Sequence, residues 1–459
     1  MSRVFLLSSN IANEPYPVYP LGMAIIAGVL ERQGHQVYQF DFLVRGQSYS
    51  KLCAELQQFA PDVVALSLRN IDNVDSFSSD ENWYLSDAKK IVAAIKQSVA
   101  CPVIVGGPAF SIMPQAIIEY LQADYGVIGE GELVVGALIA ALERGEQPER
   151  LNSSPEPLTG KQMPGPLLVP EYVEYYQQHS GMVNLQTKRG CPYRCVYCTY
   201  PGLEGHCFRP REVGEVVDDI ERMQRDHATN HLFFTDSIFN DSSGHHLQLV
   251  EEMVRREVSV RWCAFFRPQG LTAENLALLK RSGLYAMEMG TDAGCDRTLA
   301  GLNKGFTFAE VQRCHNLAVA AQIPCAHFIM FGGPEETPDT IREGLENIAT
   351  LQNTVVFAFS GIRILPKSSL LQRAVADGVV PADVDLLKPV YYLSPHIDQE
   401  WMNQELLNSF SGRRDRIFPP SAGQEQMTMM NNFGFKGILW DQMVNFGNAT
   451  TRRRARKNG

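Results

Sequence analysis

Short, continuous apolar runs alternate with amphipathic stretches of helical length, and the alternation occurs twice along the chain. In the first third the runs are Val4-Phe5-Leu6-Leu7, Gln36 to Phe42, Val63 to Leu68, Val103-Ile104-Val105 and Tyr125-Gly126-Val127-Ile128. Leu21 to Gln33, Leu52 to Phe59, Ala88 to Val99 and Ile117 to Leu121 place apolar residues at helical spacing between them, and a further helix starts at Leu133. Strands of a parallel sheet are covered on both faces and read as unbroken apolar runs between crossover helices. The pattern therefore predicts an α/β fold whose residues 1–147 form a doubly wound, Rossmann-like domain of about five strands. In such sheets ligands lie beyond the carboxyl ends of the strands.

Six prolines between Pro148 and Pro170, with several Ser and Gly residues, mark residues 148–180 as a linker. The alternation then resumes over residues 181–371. Val183 to Leu185, His231 to Thr235, Arg261 to Phe266, Tyr285 to Met289, Cys325 to Met330 and Val356 to Ile364 read as strands, and Val213 to Met223 as the first intervening helix. Six βα units predict a partial (β/α)6 barrel, with functional residues at the C-terminal strand ends. Residues 372–459, with Tyr391, Tyr392, Trp401 and Trp440 among polar stretches, read as a small, mainly helical cap ending in a basic tail.

At 459 residues the chain is too long for one core, which agrees with several domains. No apolar run approaches the ~18 residues of a membrane span, and Met1 to Phe5 lead straight into a strand rather than a signal peptide. Ten cysteines without a short disulfide framework indicate reduced thiols, so the expected compartment is the cytoplasm. A net charge of −10 argues against a general nucleic-acid binder. The one basic block, Arg452 to Lys457, reads as a solvated tail.

The densest candidate chemistry is Thr187-Lys188-Arg189-Gly190-Cys191-Pro192-Tyr193-Arg194-Cys195-Val196-Tyr197-Cys198, with three thiols in eight residues. Pro192, Tyr193 and Arg194 place it in a loop, where no core needs three sulfurs, so thiolate metal binding is the expected role. Three ligands suit a [4Fe–4S] cluster, normally held by four cysteines, with one iron left open. A zinc site is the alternative, with His206 or Cys207 nearby, although structural zinc takes a closed shell of four ligands. Asp236 and Arg267 end the second and third strands of the barrel and point to the same mouth; capping would also account for them.

The Cx3CxΦC spacing, with Tyr197 as the aromatic before the last cysteine, resembles the cluster loop of the radical S-adenosylmethionine (SAM) superfamily. That resemblance implies a cluster on Cys191, Cys195 and Cys198 that chelates SAM and releases a 5′-deoxyadenosyl radical on reduction by an external flavodoxin or ferredoxin. Met287-Glu288-Met289-Gly290-Thr291-Asp292 resembles the superfamily's Gly-x-Glu segment, whose carboxylate holds the SAM ribose. Asp292 stands in place of the glutamate and is one methylene shorter, so Glu288 is a second candidate for that role. Tyr197, Asp236, Arg267 and Gly290 complete the implied SAM set.

The first domain resembles the cobalamin-binding domain that precedes many radical SAM cores, including the subset associated with lipid biosynthesis. Ser9 and Asn10, Ser67 with Arg69 and Asn70, Gly106-Gly107-Pro108, and Glu130-Gly131-Glu132 are the implied cobalamin contacts, although glycine and asparagine also populate ordinary turns. Ser8 to Gly22 contains no histidine, so the lower ligand of cobalt does not come from the first loop. The implied activity is methylation of an unactivated carbon of a small molecule or lipid precursor, using the deoxyadenosyl radical and methylcobalamin. Cyclisation, ring contraction or rearrangement is the second expectation, and a non-catalytic cobalamin or iron–sulfur sensor the third.

Overall fold

The computed structural model describes residues 1–13, 16–77 and 83–444; the basic block lies outside the described residues. The first domain is built on a parallel sheet of β1 (Arg3–Ser8), β2 (Gln36–Asp41), β3 (Val63–Ser67), β4 (Val103–Gly106), β5 (Tyr125–Ile128) and β6 (Leu151–Ser153). The strand order is β2-β1-β3-β4-β5-β6, so the topological switch lies between β1 and β3. Helices such as Leu21–Arg32 and Leu85–Ser98 bury apolar stripes against the two faces of the sheet. Most of the sequence-predicted strands are present, and β6 is an addition inside the expected linker.

That linker is structured throughout its second half. Pro170 occupies the first turn of a helix, Pro170–His179, where its missing N–H is no loss. The helix fastens the domains together: Tyr172 donates to the Gln39 carbonyl at 2.7 Å and Tyr176 to Asp41 at 2.8 Å. Burial pushes the Asp41 carboxyl up to about 6, against the hydrogen bond from Tyr176 that lowers it.

The second sheet begins with β7 (Val183–Leu185). A small antiparallel pair, β8 (Lys188–Arg189) and β9 (Arg209–Pro210), follows and brackets the cysteine loop. The sheet continues with β10 (His231–Phe234), β11 (Arg261–Phe266), β12 (Leu284–Asp292), β13 (Cys325–Phe331) and β14 (Thr354–Ser360). Beyond it lie a small pair, β15 (Ile362–Arg363) and β16 (Tyr391–Tyr392), and then β17 (Arg416–Ile417). The order β17-β14-β13-β12-β11-β10-β7 is a partial barrel of parallel strands, in which the cap donates β17 to the edge.

Strand alternation divides the barrel cleanly. Leu232, Phe234, Met287 and Met289 pack outward in a core continuous with Val4, Leu6 and Tyr172, so the two domains share one apolar interior. Phe233, Cys263, Ala286, Ala326 and Val355 face the lumen, where Ile438, Leu439, Trp440 and Met443 of the cap join them. Ile438 donates its backbone N–H to the Tyr285 hydroxyl at 2.9 Å, and Gly437 donates to the Ser180 carbonyl, so the cap closes the barrel at its N-terminal end. Among the described residues no helix is long and apolar enough to cross a membrane.

Candidate active site

The cysteine loop is fastened on all sides before any ligand is considered. Gly190 turns the chain into it at φ +87°, and a Cβ there would lie 2.0 Å from the Cys207 carbonyl, so only glycine fits. Cys191 N–H donates to the Gly205 carbonyl, Val196 to Leu302, and Asn303 to the Arg194 carbonyl at 2.7 Å. Burial pushes the Cys198 thiol up to about 12, with Cys195 and Cys191 adding repulsion. Burial likewise raises Cys191, and Cys195 raises it further. Three thiol sulfurs on one loop, two of them largely buried, fit a cationic centre, because coordination removes their protons. The donor set therefore suits the cluster expected from the spacing.

Asp292 ends β12 at φ +65°, in a left-handed conformation that turns its carboxylate inward. Its Oδ2 accepts from the Tyr197 hydroxyl and pairs with Lys304. The two sequence-predicted residues Tyr197 and Asp292 are thus in direct contact, and Lys304 joins them from the segment after β12. Arg267 stacks on Tyr193 of the cysteine loop, its guanidinium carbon 3.8 Å from the ring centroid, and donates to the Lys304 carbonyl.

Asp236 does something different from the expected cofactor contact. Its carboxylate accepts from Thr187 N–H at 2.7 Å and from the Thr187 hydroxyl, and it pairs with Lys188 at 3.1 Å. Lys188 is fully buried and also pairs with Asp241 at 3.3 Å. Asp236 therefore anchors the base of the cysteine loop from below. Capping, the other expectation for this residue, describes it better, because every strong acceptor direction is already taken.

The Glu130 and Glu132 side chains also depart from expectation. Glu130 pairs with Arg189 and Arg209, each at 2.9 Å, and Glu132 with Arg189 at 2.6 Å. Burial pushes Glu130 up, but Arg209 and Arg189 outweigh it and hold the carboxyl below its ordinary range. These carboxylates lock the first domain to the strands flanking the cysteines instead of reaching a corrin. Arg189 precedes the motif directly, yet its partners lie 59 and 57 residues away, which no local pattern reveals.

The remaining loops of the first domain open toward the same place. Ser9 donates to the Ser67 carbonyl at 3.1 Å, and Asn10 accepts from Ala12 N–H. Gly107, at φ +97°, brings its Cα so close to Leu68 that a Cβ would sit 2.5 Å from the carbonyl oxygen. Pro108 then starts a short helix. Arg69 and Asn70 are exposed, yet protein surrounds Arg69 closely enough that burial pulls its guanidinium below its ordinary value, with Tyr200 and Tyr16 around it, which marks an open cleft. Tyr200, two residues after Cys198, is 43% exposed in that cleft. The basic side chain here is an arginine and not a histidine. Side-chain-free glycine, open polar side chains and a cleft at the carboxyl end of a parallel sheet fit a large planar ligand such as a corrinoid.

Glu288 lies in the lumen, beside Phe265 on one neighbouring strand and Ala326 on the other. Its ionisable neighbours are Tyr16, Cys263 and Tyr285. Tyr16, from the first loop of the N-terminal domain, was not singled out by the sequence; it is also a neighbour of Arg69 and so connects the cleft with the lumen.

Residues 8–139 match the B12 binding domain family, and residues 185–348 match the radical SAM superfamily. The tryptophan 2-C-methyltransferase of Streptomyces laurentii is 24% identical over 447 residues, covering 79% of this chain and 73% of that protein. An anaerobic magnesium-protoporphyrin IX monomethyl ester cyclase of Cereibacter sphaeroides is 24% identical, covering 71% of this chain and 55% of that protein. The structure of the radical SAM methyltransferase TsrM from Kitasatospora setae, with cobalamin and a [4Fe–4S] cluster bound, superposes with a TM-score of 0.83. It is 23% identical and the match covers 100% of both chains, a likeness of fold from end to end.

Proposed function

We propose that this chain, a cobalamin-dependent radical SAM enzyme with cobalamin, SAM and a [4Fe–4S] cluster as cofactors, methylates a carbon atom of a small, ring-bearing molecule. The observation that carries this reading is that Tyr200, which follows the cluster cysteines, and Arg69 of the cobalamin-domain loop are within electrostatic reach of each other, so the two cofactor regions adjoin. When bound, SAM on the cluster supplies a methyl group or, after one-electron reduction, a carbon radical, and cobalamin relays the methyl group to substrate.

The residues present divide the work of binding and positioning. Cys191, Cys195 and Cys198 would hold the cluster, and Ser237 steadies the loop by donating to the Gly190 carbonyl at 2.9 Å. Asp292, oriented by Lys304 and Tyr197, would accept the ribose hydroxyls of SAM. Arg267 fixes the cysteine loop against the Lys304 segment. Ser67, Arg69, Asn70 and the Gly106-Gly107-Pro108 turn would border the corrinoid. Trp440 and Met443, buried in the barrel floor, exclude water from the lumen.

Asp292→Asn should leave the cluster intact and weaken SAM binding by roughly tenfold or more, since hydrogen bonds to a charged acceptor contribute ~1.5–3 kcal/mol. Equilibrium SAM binding to the reconstituted variant measures this, and an affinity equal to wild type would move the ribose role elsewhere. The reaction itself is read from the fate of SAM. Methylation of an unactivated carbon yields S-adenosylhomocysteine and 5′-deoxyadenosine in equal amounts with each methylated product. The cyclase relative supports a second reading, cyclisation, in which deoxyadenosine accumulates without matching S-adenosylhomocysteine.

A further inference from the structure

Buried carboxylates in and around this site have partners. Asp236 and Asp241 meet Lys188, Glu130 and Glu132 meet arginines, and Asp292 meets Lys304. Glu288 is the departure: it is 3% exposed, and its Oε1 is buried without a hydrogen-bond partner. Burial alone pushes its carboxyl up to about 8. An unpaired acid in a barrel interior costs free energy that a core does not need to spend. A ligand that completes the pair would account for it.

The surroundings indicate the kind of ligand. In register with Glu288 on the two neighbouring strands stand Phe265 on β11 and Ala326 on β13. Phe265 is 40% exposed although it stands inside the barrel, with its other edge against Phe233 at 5.2 Å between centroids. Ala326 is small, and Gly290, the next lumen-facing position above Glu288, brings no side chain; a Cβ there would meet only the Phe266 carbonyl, at 3.9 Å. The level of Glu288 therefore has an aromatic wall, room beside and above it, and an unpaired carboxyl group that a cationic partner would ionise. Tyr16, Cys263 and Tyr285, the ionisable groups around Glu288, are kept neutral by burial, so no positive charge beside Glu288 competes for its carboxyl, and the exposed ring offers the negative face of its π system. Such a setting favours a cation or N–H donor over an anion.

We propose that Glu288 is a substrate-recognition residue, accepting a hydrogen bond from an amino group or ring N–H of a flat substrate that lies against Phe265. This rests on the methyltransferase reading above, places the substrate in the barrel lumen, and narrows its class to aromatic or heteroaromatic amines. It also removes Glu288 from the SAM ribose, leaving Asp292 alone in that role.

The test uses full-length protein reconstituted with cluster and hydroxocobalamin, titrated calorimetrically with two matched probe pairs: tryptamine against indole-3-propionate, and 2-phenylethylamine against 3-phenylpropionate. Wild type should bind each amine at least tenfold more tightly than its acid. Glu288→Gln, which keeps shape and removes the group that a bound amine would ionise, should lose that preference by weakening the amines and leaving the acids unchanged, whereas Phe265→Leu should weaken both members of each pair. Equal affinity for amines and acids, preference for the acids, absence of binding by every probe, or an undiminished preference in Glu288→Gln would overturn the proposal. Cluster and corrinoid absorption spectra of the same samples report the cofactor reading separately, so its failure would be seen without reference to the probes.

Discussion

The triple variant Cys191→Ala, Cys195→Ala, Cys198→Ala is expected to emerge from reconstitution with iron and sulfide carrying no cluster, and to cleave no SAM. The effect should be complete because the other thiols offer no substitute set. Cys263, Cys295, Cys314 and Cys325 are buried at separate points of the barrel wall and its helices, Cys53 and Cys101 belong to the first domain, and Cys207 is exposed. The loop itself should survive the change, since its fastening to Leu302, Asn303 and Gly205 uses backbone groups that alanine retains. Electron paramagnetic resonance of the reduced protein decides the matter. A wild-type signal in the triple variant would remove the assignment.

The second large effect concerns the clamp between domains. Arg189→Met should destabilise the protein by about 3–5 kcal/mol, the usual consequence of removing one partner from a buried ion pair. Methionine keeps most of the apolar stem, so lost packing contributes little. What remains is Glu132, 5% exposed at the side chain and without its arginine, and Glu130, left with Arg209 and the Leu158 N–H. Chemical denaturation measures the loss, and corrinoid retention should fall with it because the clamp holds the loop after β5 against the cysteine strands. The effect also has a direction in pH. Glu130 is held below its ordinary range when folded, so its contribution is present above the unfolded value and is lost as pH falls through the folded one. The stability gap between wild type and variant should therefore narrow on acidification. A constant gap, or a loss below about 1 kcal/mol, would show that the clamp is a weak surface-type pair.

Much of the architecture was legible because both sheets are parallel and buried, which makes their strands continuous apolar runs such as Val103-Ile104-Val105. The elements that escaped lack that signal. In β6 only Leu151 is apolar, β17 is a two-residue edge strand, and the helix from Pro170 begins at a proline that composition alone assigns to a linker. The candidate site divides in the same way. Cysteine spacing within one loop is local information, and so is an acidic residue at a strand end. Which charge that acid meets is not local: Asp236 finds Lys188 from 48 residues away, and Glu130 finds Arg209 from 79. The sequence thus marks where carboxylates stand and leaves open whether protein or ligand consumes them. Glu288 was recognisable as a candidate by its place beside the Gly-x-Asp segment. Its orientation toward the lumen follows only from the register of β11, β12 and β13.

In the proposed reaction the two domains act on SAM together, passing its methyl group through cobalamin. The most direct measurement needs no substrate: reconstituted protein carrying reduced cobalamin is mixed with SAM labelled in the methyl group, and the corrinoid is extracted and analysed by mass and light absorption. Labelled methylcobalamin formed in step with S-adenosylhomocysteine is the expected result. Unlabelled corrinoid, with deoxyadenosine as the sole fragment of SAM, would contradict it.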